Sequence, residues 1–159
     1  MTARTQASAL DELVHERGEW RRAGLTVVFT NGCFDLLHAG HVSLLEAARA
    51  AGDVLIVGLN SDDSVRRLKG EGRPILPQHE RAETLLAFEA VDRVVIYDAD
   101  TPAQVIGALV PDVLVKGADW GPGEIVGADV VEAAGGRVLR IALEPGRSTS
   151  ALVDRVRGS

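Results

Sequence analysis

The sequence holds a single cysteine, Cys33, among 159 residues. One cysteine closes no internal disulfide, which agrees with a reducing compartment, and nothing near it in sequence marks an activated nucleophile, so its expected role is packing. Aromatic residues make up only 4% of the chain, little material for the stacking platforms that hold single-stranded nucleic acid. Basic charge is also short. Lysines and arginines number 17 against 23 aspartates and glutamates, a formal net charge of −6, and without a broad basic surface nucleic acid is not expected as a main partner. No apolar run approaches the ~20 residues that cross a bilayer, and the N-terminus lacks an apolar signal region. The expectation is a cytoplasmic protein with neither membrane nor nucleic acid as partner. Internal repeats are absent too, and 46% apolar content is enough for one compact domain with a real core. Residues 1–24 are read as an N-terminal helix packing on a domain that spans 25–159.

What the sequence does have is concentrated in Thr26–His41, which reads TVVFTNGCFDLLHAGH. Val27, Val28 and Phe29 form a short β-prone run suited to a strand buried on both faces, and Asn31-Gly32 is expected to break it. Apolar residues then fall at helical spacing: Val42, Leu44, Leu45, Ala47 and Ala48 make a stripe that ends at Gly52. The unit is strand, loop, helix. His38 and His41, three residues apart, fall on one side of the first helical turn, where unpaired backbone N–H groups and the helix dipole favour an anion. Gly32 and Gly40 allow a ligand close to the backbone and between the imidazoles. Taken alone, the pair is also compatible with half a zinc site or with two helix residues of no chemistry. A metal would want further Cys, His or carboxylate ligands, and the only other histidines are His15 and His79, with Cys33 the sole cysteine.

Along the rest of the chain, Ser8–Arg22 reads as a helix expected to cover a sheet edge or an oligomer interface. Val54–Leu59 is a second buried strand, and Asn60-Ser61-Asp62 caps a helix over Asp63–Leu68. Strand, helix and strand within about thirty residues imply a parallel βαβ unit, with functional positions beyond the carboxyl ends of the strands. The alternation predicts further helices at Pro77–Glu89, Ala103–Leu109, Ala128–Ala134 and Ala151–Val156, and strands at Arg93–Tyr97, Asp112–Val115 and Arg137–Leu143. Arg66, Arg67, Lys69 and Arg73 lie within eight residues, with Gly70 and Gly72 between them. Such a run is a solvated face or, at the ligand edge of a sheet, a phosphate contact.

Gly32-x-Phe34-Asp35 followed by His38-x-Gly40-His41 resembles the signature of the HxGH nucleotidyltransferase superfamily. From Leu25 onward the chain is similar to the adenylyltransferase half of the bifunctional ADP-heptose synthesis proteins, through Asn60-Ser61-Asp62, Arg67-Leu68-Lys69-Gly70, Arg73-Pro74, Glu80-Arg81, Val115-Lys116-Gly117 and Ser148-Thr149. The resemblance implies an α/β, Rossmann-like nucleotidyltransferase fold, a five-stranded parallel sheet of order 3-2-1-4-5 with helices on both faces. It implies that His38, His41 and Lys69 are catalytic. Around the nucleotide it places Thr30, Asn31, Gly32, Phe34, Gly40, Lys116, Gly117, Asp119, Trp120, Ser148 and Thr149, with Asp119 on a ribose hydroxyl and Trp120 at the base. Asp35, Asn60, Asp62, Arg73 and Arg81 face the substrates, Arg73 toward the sugar phosphate and Arg81 near the triphosphate. No residue is assigned as a metal ligand.

The implied reaction is adenylyl transfer from ATP, with Mg²⁺, to a heptose 1-phosphate, giving ADP-heptose and pyrophosphate, in a homo-oligomer of two or more copies. Two alternatives stand beside it: a cytidylyltransferase acting on glycerol 3-phosphate or another small phosphate, and a non-catalytic nucleotide-binding module. The last loop departs from the cytidylyltransferase motif Arg-Thr-Glu-Gly-Ile-Ser-Thr-Ser, with Leu143 where that motif has arginine and Arg147 where it has isoleucine.

Overall fold

A computed structural model describes residues 4–117 and 125–142. In chain order it contains α1 (Leu10–Arg22), β1 (Val27–Gly32), α2 (Ala39–Ala50), β2 (Val54–Asn60), α3 (Asp62–Lys69), α4 (Gln78–Leu86), β3 (Arg93–Tyr97), α5 (Ala103–Leu109), β4 (Val113–Gly117), α6 (Ala128–Ala133) and β5 (Arg137–Ile141). The five strands form one sheet in the order β3-β2-β1-β4-β5, every neighbouring pair parallel. The expected fold class and strand order are borne out.

Alternation along each strand sorts its side chains between two apolar layers. Val27, Phe29, Val54, Ile56 and Leu114 join Leu13 and Trp20 of α1, Val105, Ile106 and Leu109 of α5, and Val131 of α6. Val28, Leu55, Val57, Val94, Val113 and Val115 face the other way, onto Leu44, Leu45 and Ala48 of α2 and Ala82 and Leu85 of α4. A sheet covered on both faces needs runs without polar interruption. β2, buried at all seven positions, has one.

Three local expectations differ from the structure. Asn31-Gly32 does not break β1: the strand continues through Gly32 because β2 supplies ladder partners, Gly58 for Asn31 and Leu59 for Gly32. The helix expected to reach Glu89 ends at Leu86, and the Ala87 N–H closes its last turn onto Glu83. Helix α1 lies on a face of the sheet against α5, not over an edge. Its buried Arg17 donates from Nε to the Leu109 carbonyl at 3.1 Å and from Nη2 to that of Val110 at 2.9 Å. Those are orphan carbonyls at the end of α5, where Val110 turns the chain at φ 43°.

Gly58 is required by packing. The Phe29 ring lies over it, and an added methyl would meet Phe29 Cζ at 2.6 Å. Gly58→Ala is expected to cost about 1–3 kcal/mol of stability through overpacking. Urea denaturation checks this, and an unchanged midpoint would show that the ring yields freely.

Candidate active site

The histidine loop is built from the end of β1 inward. Phe34 sits at φ 45° with its ring buried beneath Gly32, where a Cβ would come within 2.9 Å of the ring. The turn delivers His38 to the N-cap of α2 and His41 to its third position. Each imidazole then caps the helix. His38 Nδ1 accepts from the Gly40 N–H at 3.0 Å, and His41 Nδ1 accepts from the His38 N–H at 3.4 Å. This is a reciprocal capping box with imidazoles in place of the usual hydroxyl and carboxylate.

The cap decides the chemistry of the rings. A neutral imidazole whose Nδ1 accepts carries its proton on Nε2, so both histidines are Nε2–H donors. The rings stack with centroids 3.9 Å apart, and Phe34 packs on His41 with centroids 5.3 Å apart. Burial, with the neighbouring His38 adding to it, lowers the His41 pKa from 6.5 to about 4. Near neutral pH, His41 therefore donates as an uncharged ring.

A second set of groups fixes the segment after α3. The buried Asp35 carboxylate accepts from Arg73 Nε at 2.9 Å and from the backbone N–H groups of Ile75 and Leu76 at 2.8–2.9 Å. Burial would raise its pKa, but those donors outweigh it and hold the carboxyl below its ordinary value. Arg81, 1% exposed, donates from Nε to Leu76, from Nη1 to the carbonyls of Cys33 and Asn60, and from Nη2 to Asp62, at 2.8–2.9 Å throughout. It thus ties β1's loop, β2's end and α3's start into one corner. Burial pushes the Cys33 thiol up against the pull of Lys69, Arg81 and Arg73, in keeping with a packing role.

The basic run divides by environment. Arg66 pairs with Asp63 at 2.7 Å, and Arg67 with Asp100 at 2.9 Å and the Asp98 carbonyl, all on the exposed side of α3. Arg73 is inside, its side chain 9% exposed, and its Nη2 is buried with no hydrogen-bond acceptor among the described residues. Lys69 closes α3 exposed, without an ion pair among the described residues, near enough to act on the Cys33 thiol.

Beside the histidine loop the sheet opens. β1 pairs with β2 over six residues, but with β4 only at Val28 and Phe29. Thr30 Oγ1 donates to the Val115 carbonyl at 3.0 Å, and beyond it side chains span the gap. Lys116 Nζ donates to Asn31 Oδ1. In a sheet of this order, β1 and β4 flank the topological switch point, where open α/β sheets take their ligands. Lys116 is 7% exposed, and burial lowers its pKa to about 8.

Comparison with known proteins matches this architecture. The profile of the cytidylyltransferase-like family fits residues 29–145. The chain belongs to that family. Among its relatives, the bifunctional protein HldE of Mesorhizobium japonicum is 58% identical over 138 residues, covering 87% of this chain and 28% of its own length. HldE of Citrifermentans bemidjiense is 53% identical over 150 residues, covering 94% of this chain and 31% of its own. The chain thus spans less than a third of the curated relatives it matches. A lipopolysaccharide core biosynthesis protein from Thermoplasma volcanium shares the fold, with TM-score 0.62 and 24% identity over 76% of this chain and 98% of its own.

The residues singled out from the sequence are placed as follows. Thr30, Asn31, Gly32, Phe34, Asp35, His38, Gly40 and His41 stand at the carboxyl end of β1 and the start of α2. Asn60 and Asp62 stand at the end of β2, and Lys116 and Gly117 at the end of β4. Asp119, Trp120, Ser148, Thr149 and the helix expected at Ala151–Val156 lie outside the described residues. Two participants carried no motif. Tyr97 accepts from Asn31 Nδ2 and donates to Asn60 Oδ1, both at 3.0 Å, and Ser64 accepts from Asn60 Nδ2 at 3.0 Å. The available signal was that Tyr97, the chain's one tyrosine, ends a strand at the ligand edge.

The His41 environment sets a stability window. With 6.5 as the ordinary value and about 4 in the fold, the unfolded chain takes up this proton first as pH falls. The His41 contribution to stability is intact above 6.5 and declines from there to about 4. The Tm should fall over that window, and His41→Asn should flatten the fall. An equal slope in both proteins would show that the ring titrates as if exposed.

Proposed function

We propose that the protein is an enzyme that transfers the adenylyl group of ATP to a heptose 1-phosphate, releasing pyrophosphate and ADP-heptose. The observation that carries the chemistry is the doubly capped α2 N-terminus, where both rings spend Nδ1 on the cap and so keep Nε2–H as the donor for an anion without needing either ring charged. Support for the heptose acceptor comes from the resemblance at Asn31, Asn60-Ser61-Asp62 and Val115-Lys116-Gly117, and from bifunctional relatives at 53–58% identity.

In the reaction, an oxygen of the sugar phosphate forms a bond to the α-phosphorus. The bond from that phosphorus to the bridging oxygen breaks, and its electron pair leaves with pyrophosphate. Charge accumulates on the α-phosphoryl oxygens and the leaving group, and fixed donors stabilise it. His38 and His41 with the N–H groups of α2 serve the former, and Lys69 the latter. No base is required, since a phosphate monoester with a second pKa of ~6 is already largely dianionic at neutral pH. The unmatched Arg73 Nη2 suits an acceptor-phosphate oxygen. Arg81, its donors spent on four protein oxygens, acts by holding the corner in place.

The described residues gather no group of three or more His, Cys, Asp or Glu side chains fit for a metal, and Asp35 is committed to the 73–76 segment. In this reading Mg²⁺ arrives on the phosphates of ATP, as part of the substrate. No helix among the described residues is long and apolar enough to cross a membrane.

Two measurements test the reading. His38→Asn keeps a donor and a good N-cap, so its kcat should exceed that of His38→Ala by roughly tenfold or more. Equal losses would mean that imidazole geometry or proton transfer is essential. With one heptose 1-phosphate as acceptor, kcat/KM for ATP should exceed that for CTP by about 10²; a CTP preference would overturn the adenylyl assignment.

A further inference from the structure

The bonds around Asn31 form one directed chain. Lys116 donates to Asn31 Oδ1, Asn31 Nδ2 to the Tyr97 hydroxyl, Tyr97 to Asn60 Oδ1, Asn60 Nδ2 to Ser64 Oγ, and Ser64 to the Ala99 carbonyl at 2.9 Å. A lysine ammonium only donates and a backbone carbonyl only accepts. Both ends therefore impose the same direction, and neither amide can flip without breaking two bonds. Asn31, Asn60, Tyr97 and Lys116 each stand at or next to the carboxyl end of a different strand, so the chain runs across four strands of the ligand edge.

We infer that Tyr97 is a positioning residue for the nucleotide, holding the Asn31 amide with its oxygen toward β4 so that the Lys116 ammonium stays at the opening between β1 and β4. The phenol hydroxyl is the one group in the chain that touches both amides. Without it, the Asn31 amide is oriented by the Lys116 ammonium from one side and loses the phenol that holds it from the other. With the NH₂ end turned toward the ammonium, the bond becomes a repulsion.

Among the described residues, the charged and titratable groups near Lys116 include Arg140, its register neighbour on β5, Tyr97 on β3, and Cys33, whose thiol acts on the phenol. Burial pushes Tyr97 up to about 12 and raises Cys33 above its ordinary 9.0. Both shifts move the phenol and the thiol away from the Lys116 titration at about 8.

The chain has only two lysines, Lys69 and Lys116, so lysine labelled with ¹³C at Cε gives two signals, assigned through Lys69→Arg. In Tyr97→Phe the Lys116 pKa should fall by about half a unit or more, because its charged form loses a fixed acceptor. Adding Asn31→Asp places a carboxylate oxygen toward the ammonium in either orientation and should bring the pKa back up. In turnover, Tyr97→Phe should raise KM for ATP about three- to tenfold with kcat within about twofold, as expected for lost ground-state binding. An unmoved Lys116 titration in Tyr97→Phe, with only Tm lowered, would overturn the inference and leave Tyr97 a packing residue. So would a fallen titration that Asn31→Asp does not restore. The kinetic arm rests on the adenylyl-transfer reading and the NMR arm does not, so a protein that turns over no heptose phosphate refutes that reading while the titration still decides the role of Tyr97.

Discussion

β1 keeps its partner on one side for six residues and gives it up on the other after two. The contacts of Thr30 and Asn31 with β4 depend on that parting. A strand fully paired on both sides would satisfy its backbone internally and leave no gap. Here the ladder to β4 ends at Phe29, Thr30 reaches across once by side chain, and Asn31 meets Lys116 over open sheet edge. The parallel arrangement brings all five carboxyl ends to the same side, which is why one opening collects residues from β1, β2, β3 and β4.

The protein is acidic overall, yet three of its buried cations lie near this edge. Arg73, Arg81 and Lys116 are each about nine-tenths buried or more, whereas Arg66 and Arg67 are paired with aspartates in solvent. Burying a cation costs free energy unless neighbouring oxygens replace the water it loses. Arg81 is compensated by carbonyls and Asp62, Arg73 by Asp35, and Lys116 by an amide oxygen. A carboxylate or amide thus anchors each charge without leaving the edge negative. The two histidines answer the same need differently. By using Nδ1 to cap α2 they become oriented neutral donors, and burial keeps His41 uncharged at physiological pH.

The short apolar runs and the helical apolar spacing, together with the Gly-x-Phe-Asp and His-x-Gly-His residues, were enough to read an α/β domain, most element positions and the histidine pair at a helix start. Strands at Arg93–Tyr97 and the helix at Ala103–Leu109 fall where the patterns put them. These features are local: they follow from neighbours within a turn or two of chain. Arg73 and Arg81 were legible as cations near phosphate, but their partners were not, because Asp35 lies 38 residues from Arg73 and Cys33 lies 48 from Arg81.

Sequence alone therefore determined the α/β alternation and the histidine pair at a helix start, since apolar runs, helical spacing and capping chemistry are written within a few residues. Only the tertiary structure decided that Asn31 continues a strand, that Lys116 meets Asn31, and that Tyr97 joins Asn31 to Asn60. Those outcomes depend on register and strand order, which set residues 37 to 85 positions apart within hydrogen-bond distance. No spacing along the chain encodes that contact. It arises when four strands end at one edge and bring their last polar side chains within reach of one another.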